Sequence, residues 1–249
     1  MKYKQQNQTK KFFEKDAKNW SKKSDFQKNK ILNTIQERNF YVLNQLKKYN
    51  LNSLLDIGCG SGDLSYSASK ILGNSVGIDF SESMIKIAKK KYKNNNLLFE
   101  NKDFFNFKIN KQFDCLSANG FIEYLSIKDI VRFLRRSKEI LKKNGLIVFG
   151  SRNRLFNLYS LNKFSLNELS KKTFNNLYEE SISLCNLNFD KFIKLKKSKF
   201  NEVPFKQPKT GINVDLRHQF SPLQIIDILK KEKFKSLDIF PINYHPVPP

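Results

Sequence analysis

Between Leu51 and Gly150, short apolar runs alternate with segments whose apolar residues recur at helical spacing. Such alternation is typical of βαβ units, in which crossover helices cover both faces of a parallel sheet. It predicts an α/β fold with three layers and a mostly parallel sheet in the middle. The predicted strands cover residues 53–57, 75–79, 97–100, 113–118 and 146–151, and the predicted helices cover residues 64–72, 81–92 and 127–142.

The segments on either side of this core are less regular. Residues 1–24 are polar and basic but contain two Phe and one Trp, so they could close over a ligand or simply pack on the core. Helical spacing resumes over residues 25–49. After the fifth strand, residues 152–213 break the alternation, and we expect them to form an insertion on the substrate side of the sheet.

The C-terminal part is predicted to begin with a helix that Ser221 caps and in which Pro222 takes the first position. A strand at residues 236–240 would follow, giving a sheet of six or seven strands. A length of 249 residues suits one domain. Its predicted parts are an arm and helix (1–50), the core (51–151), the insertion or cap (152–213) and a C-terminal helix, strand and tail (214–249).

The formal net charge of +23 raises the question of a polyanionic partner. Of the 46 basic residues, 39 are Lys and only seven are Arg, and they are dispersed among many Asn, Ile and Phe. A phosphate-binding face would favour clustered Arg, whose fork binds two oxygens at once. The charge therefore indicates a drift in composition rather than a nucleic-acid-binding protein.

The three cysteines are far apart and have no C-x-x-C pair or nearby His cluster, so the sequence predicts neither a disulfide framework nor a bound metal. No apolar run approaches the ~18 residues that a membrane span requires. We expect a cytoplasmic protein. The sequence does not indicate an oligomeric state.

A glycine-rich loop follows the first predicted strand. Gly58, Gly60 and Gly62 alternate with Cys59 and Ser61, and a helix comes next. Such a loop lets the backbone approach a ligand closely, and the helix N-terminus offers free N–H groups. A dinucleotide fold would show G-x-G-x-x-G, whereas this loop reads G-x-G-x-G. Asp56, two positions before the first glycine, suits a cofactor with a cationic amino-acid end and no phosphate.

Two further acids stand at the ends of the next strands. Asp79 ends the second strand, 21 residues after Gly58, and could accept both hydroxyls of a ribose. Asp103 follows the third strand and could accept from an adenine amino group, with Phe80 or Phe104 beside the ring. Each acid alone could be an ordinary solvated loop residue. Together they indicate a ligand, because ligands of open α/β sheets bind outside the carboxyl ends of the strands.

These segments resemble successive motifs of the class I S-adenosylmethionine-dependent methyltransferases, which are Rossmann-like. The resemblance covers residues 51–151, and residues 217–240 more loosely. It implies S-adenosylmethionine as the cofactor. It also implies that Asp56 and the loop bind the methionine part, that Asp79 binds the ribose and that Asp103 binds the adenine amino group. The residues implied to bind the cofactor are Asp56, Gly58, Cys59, Gly60, Gly62, Asp79, Phe80, Met84, Asp103, Phe104 and Asn119.

The end of the fourth strand, from Ala118 to Leu125, is where members of this family differ in chemistry. The Asn/Asp-Pro-Pro-aromatic turn of many amino-methylating DNA and RNA enzymes is absent here. So is the metal-binding Asp of catechol-type enzymes, since Ala118 and Asn119 occupy this place. What remains resembles the small-molecule branch, which includes quinone-biosynthesis, sugar and natural-product methyltransferases.

Methyl transfer needs a base only where the acceptor must lose a proton. His218 is the first candidate because imidazole titrates near neutrality, and Glu123 and Tyr124 are further candidates beside the methyl group. His245 is an alternative histidine, and each of these residues could instead be purely structural. We expect transfer to a small-molecule acceptor, most often at oxygen. Alternatives are an RNA or protein methyltransferase and a non-catalytic cofactor-binding module.

Overall fold

A computed structural model of the chain describes residues 2–24, 33–106, 108, 111–200 and 218–242. The chain divides into two compact units, of which the first continues to Gly150 and the second begins at Ser151. The prediction of a single domain over residues 1–249 stays a prediction.

The first unit contains a sheet of five parallel strands. In chain order they are β1 (Ser53–Ile57), β2 (Asn74–Asp79), β3 (Leu97–Asn101), β4 (Phe113–Ala118) and β5 (Leu141–Phe149). Their spatial order is β3-β2-β1-β4-β5, so every carboxyl end lies at the same edge of the sheet. The central strand β1 is buried along its whole length. The predicted α/β class and the mostly parallel sheet are confirmed.

The predicted sixth or seventh strand is wrong for the part of the chain that the structure describes. Residues 236–240 have no strand structure, and Leu237, Ile239 and Phe240 are 54%, 46% and 60% exposed. Apolar alternation makes a strand only where a neighbouring edge supplies hydrogen bonds and a face to bury. This segment has neither.

Five helices accompany the sheet in the described first unit, and a short 3-10 turn (Ile122–Tyr124) follows β4. The caps explain where several of them begin: Asn33 and Gln36 form a capping box, and the Ser81 hydroxyl accepts from the N–H of Met84. The helices are α1 (Lys2–Ser24), α2 (Thr34–Lys48), α3 (Asp63–Ser69), α4 (Glu82–Lys91) and α5 (Ile127–Ile140).

Of two predicted helix boundaries in this unit, one lies outside the described residues and the other differs from the structure. Residues 25–32, the start of the predicted helix over 25–49, lie outside the described residues. The predicted end of the helix at 142 is wrong, because Leu141 already pairs with Phe113 as part of β5. Asn144 has φ +62° and the register shifts after Phe113, so the Asn-Gly pair forms an irregularity within the strand.

The regular elements described in the second unit are helices, apart from an isolated bridge between Asn153 and Phe220. Ser221 caps its last helix and forms a capping box with Gln224, as the Ser-Pro pair predicted. The elements are a 3-10 helix (Arg154–Leu158), α6 (Lys163–Ser170), α7 (Phe174–Cys185), α8 (Phe189–Phe192) and α9 (Pro222–Lys231).

A buried ion pair organises this second unit. Arg154 and Glu168 are 1% and 0% exposed and pair at 2.6 Å, with a second hydrogen bond of 2.9 Å from Nε to Oε1. Asn157 and Thr173 also donate to the Glu168 carboxylate. Although burial raises the pKa of Glu168, these donors outweigh it, so its pKa lies below the usual value. The ionised carboxylate therefore fixes the 3-10 helix against α6.

Candidate active site

The glycine loop lies between the ends of β1 and β2. The N–H groups of Gly58 and Cys59 both donate to the carbonyl oxygen of Ile78, at 2.9 and 3.0 Å, and so fasten the loop to β2. Gly60 and Gly62 have φ values of +54° and +84°, in the left-handed region that favours glycine. Gly62 then caps α3, whose first N–H groups lie behind the loop.

Asp56 lies beneath this loop, near the end of β1, and is only 3% exposed. Its carboxylate accepts a hydrogen bond of 2.8 Å from the Ser65 hydroxyl. Burial is the main cause that raises the pKa of Asp56 to about 7, and the nearby Asp79 and Asp63 carboxylates contribute to this rise against the lowering effect of the Ser65 and Ser117 hydroxyls. A cation placed beside Asp56 would relieve this cost.

Asp79, the last residue of β2, is 7% exposed and contacts the loop directly. Its carboxylate accepts from the N–H of Gly60 at 3.0 Å and from the N–H of Ser81 at 2.8 Å. Burial raises the pKa of Asp79 to about 6 despite these bonds, and the charge of Glu14 contributes to the rise. Because each carboxylate oxygen has two lone pairs, both oxygens can accept a further donor such as a hydroxyl.

Asp103 lies in the turn after β3 and is partly exposed. It accepts from the N–H of Phe105 at 2.9 Å and from the Asn106 amide at 3.2 Å, as an Asx turn does. Phe104 beside it is buried, with its ring centre 5.3 Å from that of Phe133. The local role of Asp103 is therefore structural, and its proposed contact with adenine stays a prediction.

Three other predicted cofactor residues lie close to these acids in the chain. Met84 is 1% exposed on the first turns of α4, and Phe80 is half-buried directly after Asp79. Cys59 lies within the loop, and burial raises the pKa of its thiol well above the usual value, with Asp79 and Asp56 adding to the effect. The thiol is therefore protonated and unreactive at neutral pH.

Asn119 and two predicted catalytic residues, Glu123 and Tyr124, follow the end of β4 in the first unit, which also contains the glycine loop. The Asn119 amide donates to the carbonyl oxygen of Arg38 at 3.5 Å. Glu123 is 4% exposed and Tyr124 is half-buried, both on the 3-10 turn. The Phe121 ring beside them would be 3.4 Å from a Cβ added to Gly58. This turn therefore lies against the glycine loop.

Helix α1 lies over the same region, and the proposal that it closes over a ligand stays a prediction. The Trp20 indole nitrogen would be 3.6 Å from a Cβ at Gly60, and the Phe13 ring contacts the rings of Trp20 and Tyr124 edge-on at 5.6 and 5.9 Å. The arm is a helix whose aromatic side chains contact both the glycine loop and the turn after β4.

Glu14 is the residue of α1 that sequence reasoning missed. Its two carboxylate oxygens accept from the N–H groups of Glu82 and Ser83 at 2.8 and 3.1 Å, at the start of α4. Partial burial raises the pKa of Glu14, but these hydrogen bonds outweigh it and lower the pKa overall. The one available signal was an acid in a strongly basic segment, which does not identify a partner.

His218 belongs to the second unit. It is 5% exposed, and its ring stacks on that of Phe220 with the centres 5.7 Å apart. The other histidine considered, His245, lies outside the described residues. The structure thus gathers Glu123 and Tyr124, but not His218, into the unit that contains the loop.

Within residues 2–24, 33–106, 108, 111–200 and 218–242, no three His, Cys, Asp or Glu side chains are grouped so as to hold a metal ion. None of the helices in the same ranges has the length and apolar character needed to cross a membrane.

Comparison with known proteins gives one family and several relatives. Residues 54–145 match a methyltransferase domain family. An uncharacterized protein of Methanocaldococcus jannaschii is 35% identical over 56% of this chain and 50% of its own length. A ubiquinone biosynthesis O-methyltransferase of Pelagibacter ubique is 35% identical over 43% of this chain and 44% of its own length. The chain spans about half the length of these curated relatives.

A solved structure extends the likeness in fold. Magnesium protoporphyrin IX methyltransferase from Synechocystis, with bound S-adenosylhomocysteine, aligns with a TM-score of 0.55 over 91% of this chain and 87% of its own. The two sequences are 14% identical, so this likeness concerns the fold alone.

Proposed function

We propose that the chain is a class I S-adenosylmethionine-dependent methyltransferase, since its residues 54–145 match a methyltransferase domain family, and that it transfers the methyl group of S-adenosylmethionine to an oxygen of a small-molecule acceptor. The observation that carries the proposal is the pair of buried carboxylates at adjacent strand ends: the Gly60 N–H binds Asp79, and Asp56 lies beneath the same loop. A buried, partly protonated acid pair is costly and suits a ligand with a positive charge and hydroxyl groups.

The bound cofactor supplies an electrophilic methyl group on a cationic sulfur. The protein's task is then to bind and align, since holding the nucleophile in line with the methyl group provides much of the acceleration. We assign the cationic end to Asp56 and the glycine loop, and the ribose hydroxyls to Asp79. The adenine surroundings would be Phe80, Met84 and the segment around Asp103.

Helix α1 adds to this assignment. Trp20 and Phe13 would exclude water from the methionine side of the site, because their rings lie over Gly60 and beside Tyr124. Exclusion of water strengthens the interaction between the acids and a bound cation. Glu14 would hold the helix in place through the start of α4.

A hydroxyl acceptor must lose its proton, so for such an acceptor the proposal includes a base. Glu123 and Tyr124 are candidates because their turn lies beside the loop, and His218 is a candidate from the second unit. The support for oxygen is the name of one relative, an O-methyltransferase. The cytoplasm is the proposed location, because the three cysteines are far apart in the sequence and suggest no disulfide.

Calorimetric titration tests the cofactor claim. The wild-type chain should bind both S-adenosylmethionine and S-adenosylhomocysteine, and Asp79→Asn should weaken binding about 10- to 100-fold, since hydrogen bonds to a charged group are lost. Asp114→Asn is the matched control, because Asp114 lies at the opposite end of β4 and pairs with Lys142. No binding to the folded wild-type chain, or equal loss in both variants, would refute the assignment.

Transfer of a radiolabelled methyl group to fractionated small metabolites, followed by NMR of the product, tests the acceptor. An O-methyl product supports the proposal, and an N- or C-methyl product contradicts the choice of oxygen. Replacing the true base should lower kcat about 10²- to 10⁴-fold without changing cofactor affinity. Glu123→Gln, Tyr124→Phe and His218→Asn compare the three candidates, and unchanged kcat in all three would exclude them.

A further inference from the structure

An exposed patch of leucine and lysine side chains lies on the second unit, around α6. Leu161, Leu166 and Leu169 are 86%, 68% and 53% exposed. Large apolar side chains at such exposure are normal when scattered, but they indicate a binding surface when they are contiguous. We define the leucine–lysine patch as these leucines together with three exposed lysines, Lys163, Lys171 and Lys172.

The members of the patch are neighbours because of how α6 begins. Asn162 caps the helix, so Leu161 is the residue before the cap and Leu166 is the fourth helical residue. Side chains at these two positions often pack together at a helix N-terminus. Leu169 follows Leu166 by three residues, on the same face of α6. These positions place the three exposed leucines near one another along α6.

The lysines surround this surface. Lys163 precedes Leu166 by three residues on the helix, which makes the two side chains neighbours. Lys171 is the C-cap residue of α6, and Lys172 follows it. All three are exposed. An ammonium group on a long apolar stem can remain in a polar layer while its stem covers apolar surface.

The stretch around the patch presents basic charge almost alone. Between Ser151 and Tyr178 the sequence contains a single acid, Glu168. That carboxylate is fully buried and is paired with Arg154. The exposed charge of this stretch is therefore positive, and it is combined with exposed leucine side chains.

This combination distinguishes between possible partners. A second copy in a symmetric contact would place each lysine set against its equivalent, and like charges at close range cost affinity. RNA would satisfy the lysines but leave the leucines in water, since nucleic-acid faces are polar and basic. The surface of an anionic lipid bilayer satisfies both, because apolar side chains enter the boundary of the acyl region while lysines contact the phosphate groups.

We propose that the leucine–lysine patch binds the surface of a membrane that contains anionic phospholipid, with α6 lying in the interface. The protein would then be attached peripherally, without a membrane-spanning helix in the described residues. This proposal does not depend on the methyl transfer proposed above, since its test measures binding alone.

The test is flotation of the full chain with vesicles of phosphatidylcholine alone or with roughly one-third phosphatidylglycerol, a composition that makes the surface anionic. We expect binding to the anionic vesicles and its loss at high salt. Leu161→Ser/Leu166→Ser should weaken binding about tenfold for each leucine. Ile71→Ser/Leu98→Ser is the matched control, because these two side chains of the first unit are 45% and 49% exposed and should leave binding unchanged.

The charge is tested in the same assay with Lys163→Gln/Lys171→Gln/Lys172→Gln, which should weaken binding on the order of 100-fold. The control Lys89→Gln/Lys90→Gln/Lys93→Gln removes the same charge from exposed positions of the first unit.

Several results would overturn the proposal. They are no binding to either vesicle, equal binding to neutral and anionic vesicles, and equal losses in patch and control variants. Light scattering that finds a dimer which the leucine substitutions dissociate would assign the patch to a second copy instead. Retention on RNA that depends on the lysines but not on the leucines would assign it to nucleic acid.

Discussion

Substituting Gly60 and Gly62 one at a time should separate the two roles of the glycine loop. A Cβ at Gly62 would lie 2.4 Å from Cζ of Phe99 and 3.0 Å from Cβ of Ala88, at φ +84°. A Cβ at Gly60 would meet Trp20 only at an ordinary 3.6 Å, at φ +54°. Both variants pay for a left-handed alanine, but only Gly62→Ala must also displace a buried aromatic ring.

The magnitudes follow from these contacts. A left-handed conformation costs an alanine about 1–2 kcal/mol. Forcing a methyl group into a filled core adds about 1–3 kcal/mol, and Phe99 packs in a buried cluster with Ile85 and Ala88. Gly62→Ala should therefore lose about 2–5 kcal/mol of unfolding free energy, and its Tm should fall about 4–20 °C for a chain of this size. Gly60→Ala should lose only the backbone part, which corresponds to about 2–8 °C.

Circular dichroism melts of both variants under identical conditions measure this difference, with cofactor titration of each folded protein alongside. Gly62→Ala should melt clearly below Gly60→Ala. Gly60→Ala should remain folded and lose cofactor affinity, because its added methyl group points towards the space beneath Trp20. Equal melting temperatures would show that the Phe99 ring moves aside without cost. Full cofactor affinity in Gly60→Ala would refute the role given to this side of the loop.

Three further outcomes are expected. Because burial raises the pKa of Asp79 to about 6, acidification from pH 8 to pH 5 should protonate it and weaken S-adenosylmethionine binding about tenfold, while its protonation stabilises the unliganded fold as the pH falls from 7 towards 4. The pKa of Asp56 is raised to about 7, so Asp56 titrates in the same range, and calorimetry should find that Asp79→Asn loses the tenfold part due to Asp79 and keeps the part due to Asp56. Glu14→Gln should lower the pKa of Asp79 and speed hydrogen exchange in α1, whereas Asp16→Asn, which changes another acid of that helix, should do neither. Glu168→Gln leaves the buried Arg154 charge without its partner and should cost about 3–5 kcal/mol in urea unfolding, more than the double change Arg154→Met/Glu168→Leu; equal costs would contradict an ionic role.

The strands of the sheet were predictable because each is a short apolar run, and the residue types within the run are enough to indicate that it is buried. The cap at Ser221 was predictable for a similar reason, since its hydroxyl accepts from an N–H group three residues ahead. The errors arose where distant pairing decides the structure. Leu141 continues a helical pattern in the sequence, but it pairs with Phe113 and so belongs to β5. Residues 236–240 alternate as a strand does, but within the described part of the chain they lie beside no strand edge with which they could form hydrogen bonds.

The candidate site divides in the same way. Asp56, Asp79 and the loop could be found from the sequence because each stands at a strand end, and parallel strands bring those ends together. The hydrogen bond from the Gly60 N–H to Asp79 could not be predicted from the sequence, because it depends on how closely the glycine loop approaches the end of β2. The contact of Glu14 with the start of α4 was equally hidden, because no local pattern encodes a partner so far away.

That long-range contact also determines when α1 can settle during synthesis. Glu14 and the N–H of Glu82 are 68 residues apart in the chain, which takes a ribosome roughly 3–14 s at about 5–20 residues per second. A helix without its packing partner is marginal in water. Although α1 has 23 residues, the repulsion between its many lysines weakens it further when it is alone. Although α1 is synthesised before the sheet, we therefore expect it to dock only after β2 and α4 have formed. A nascent chain would then have a complete glycine loop before α1 covers that loop.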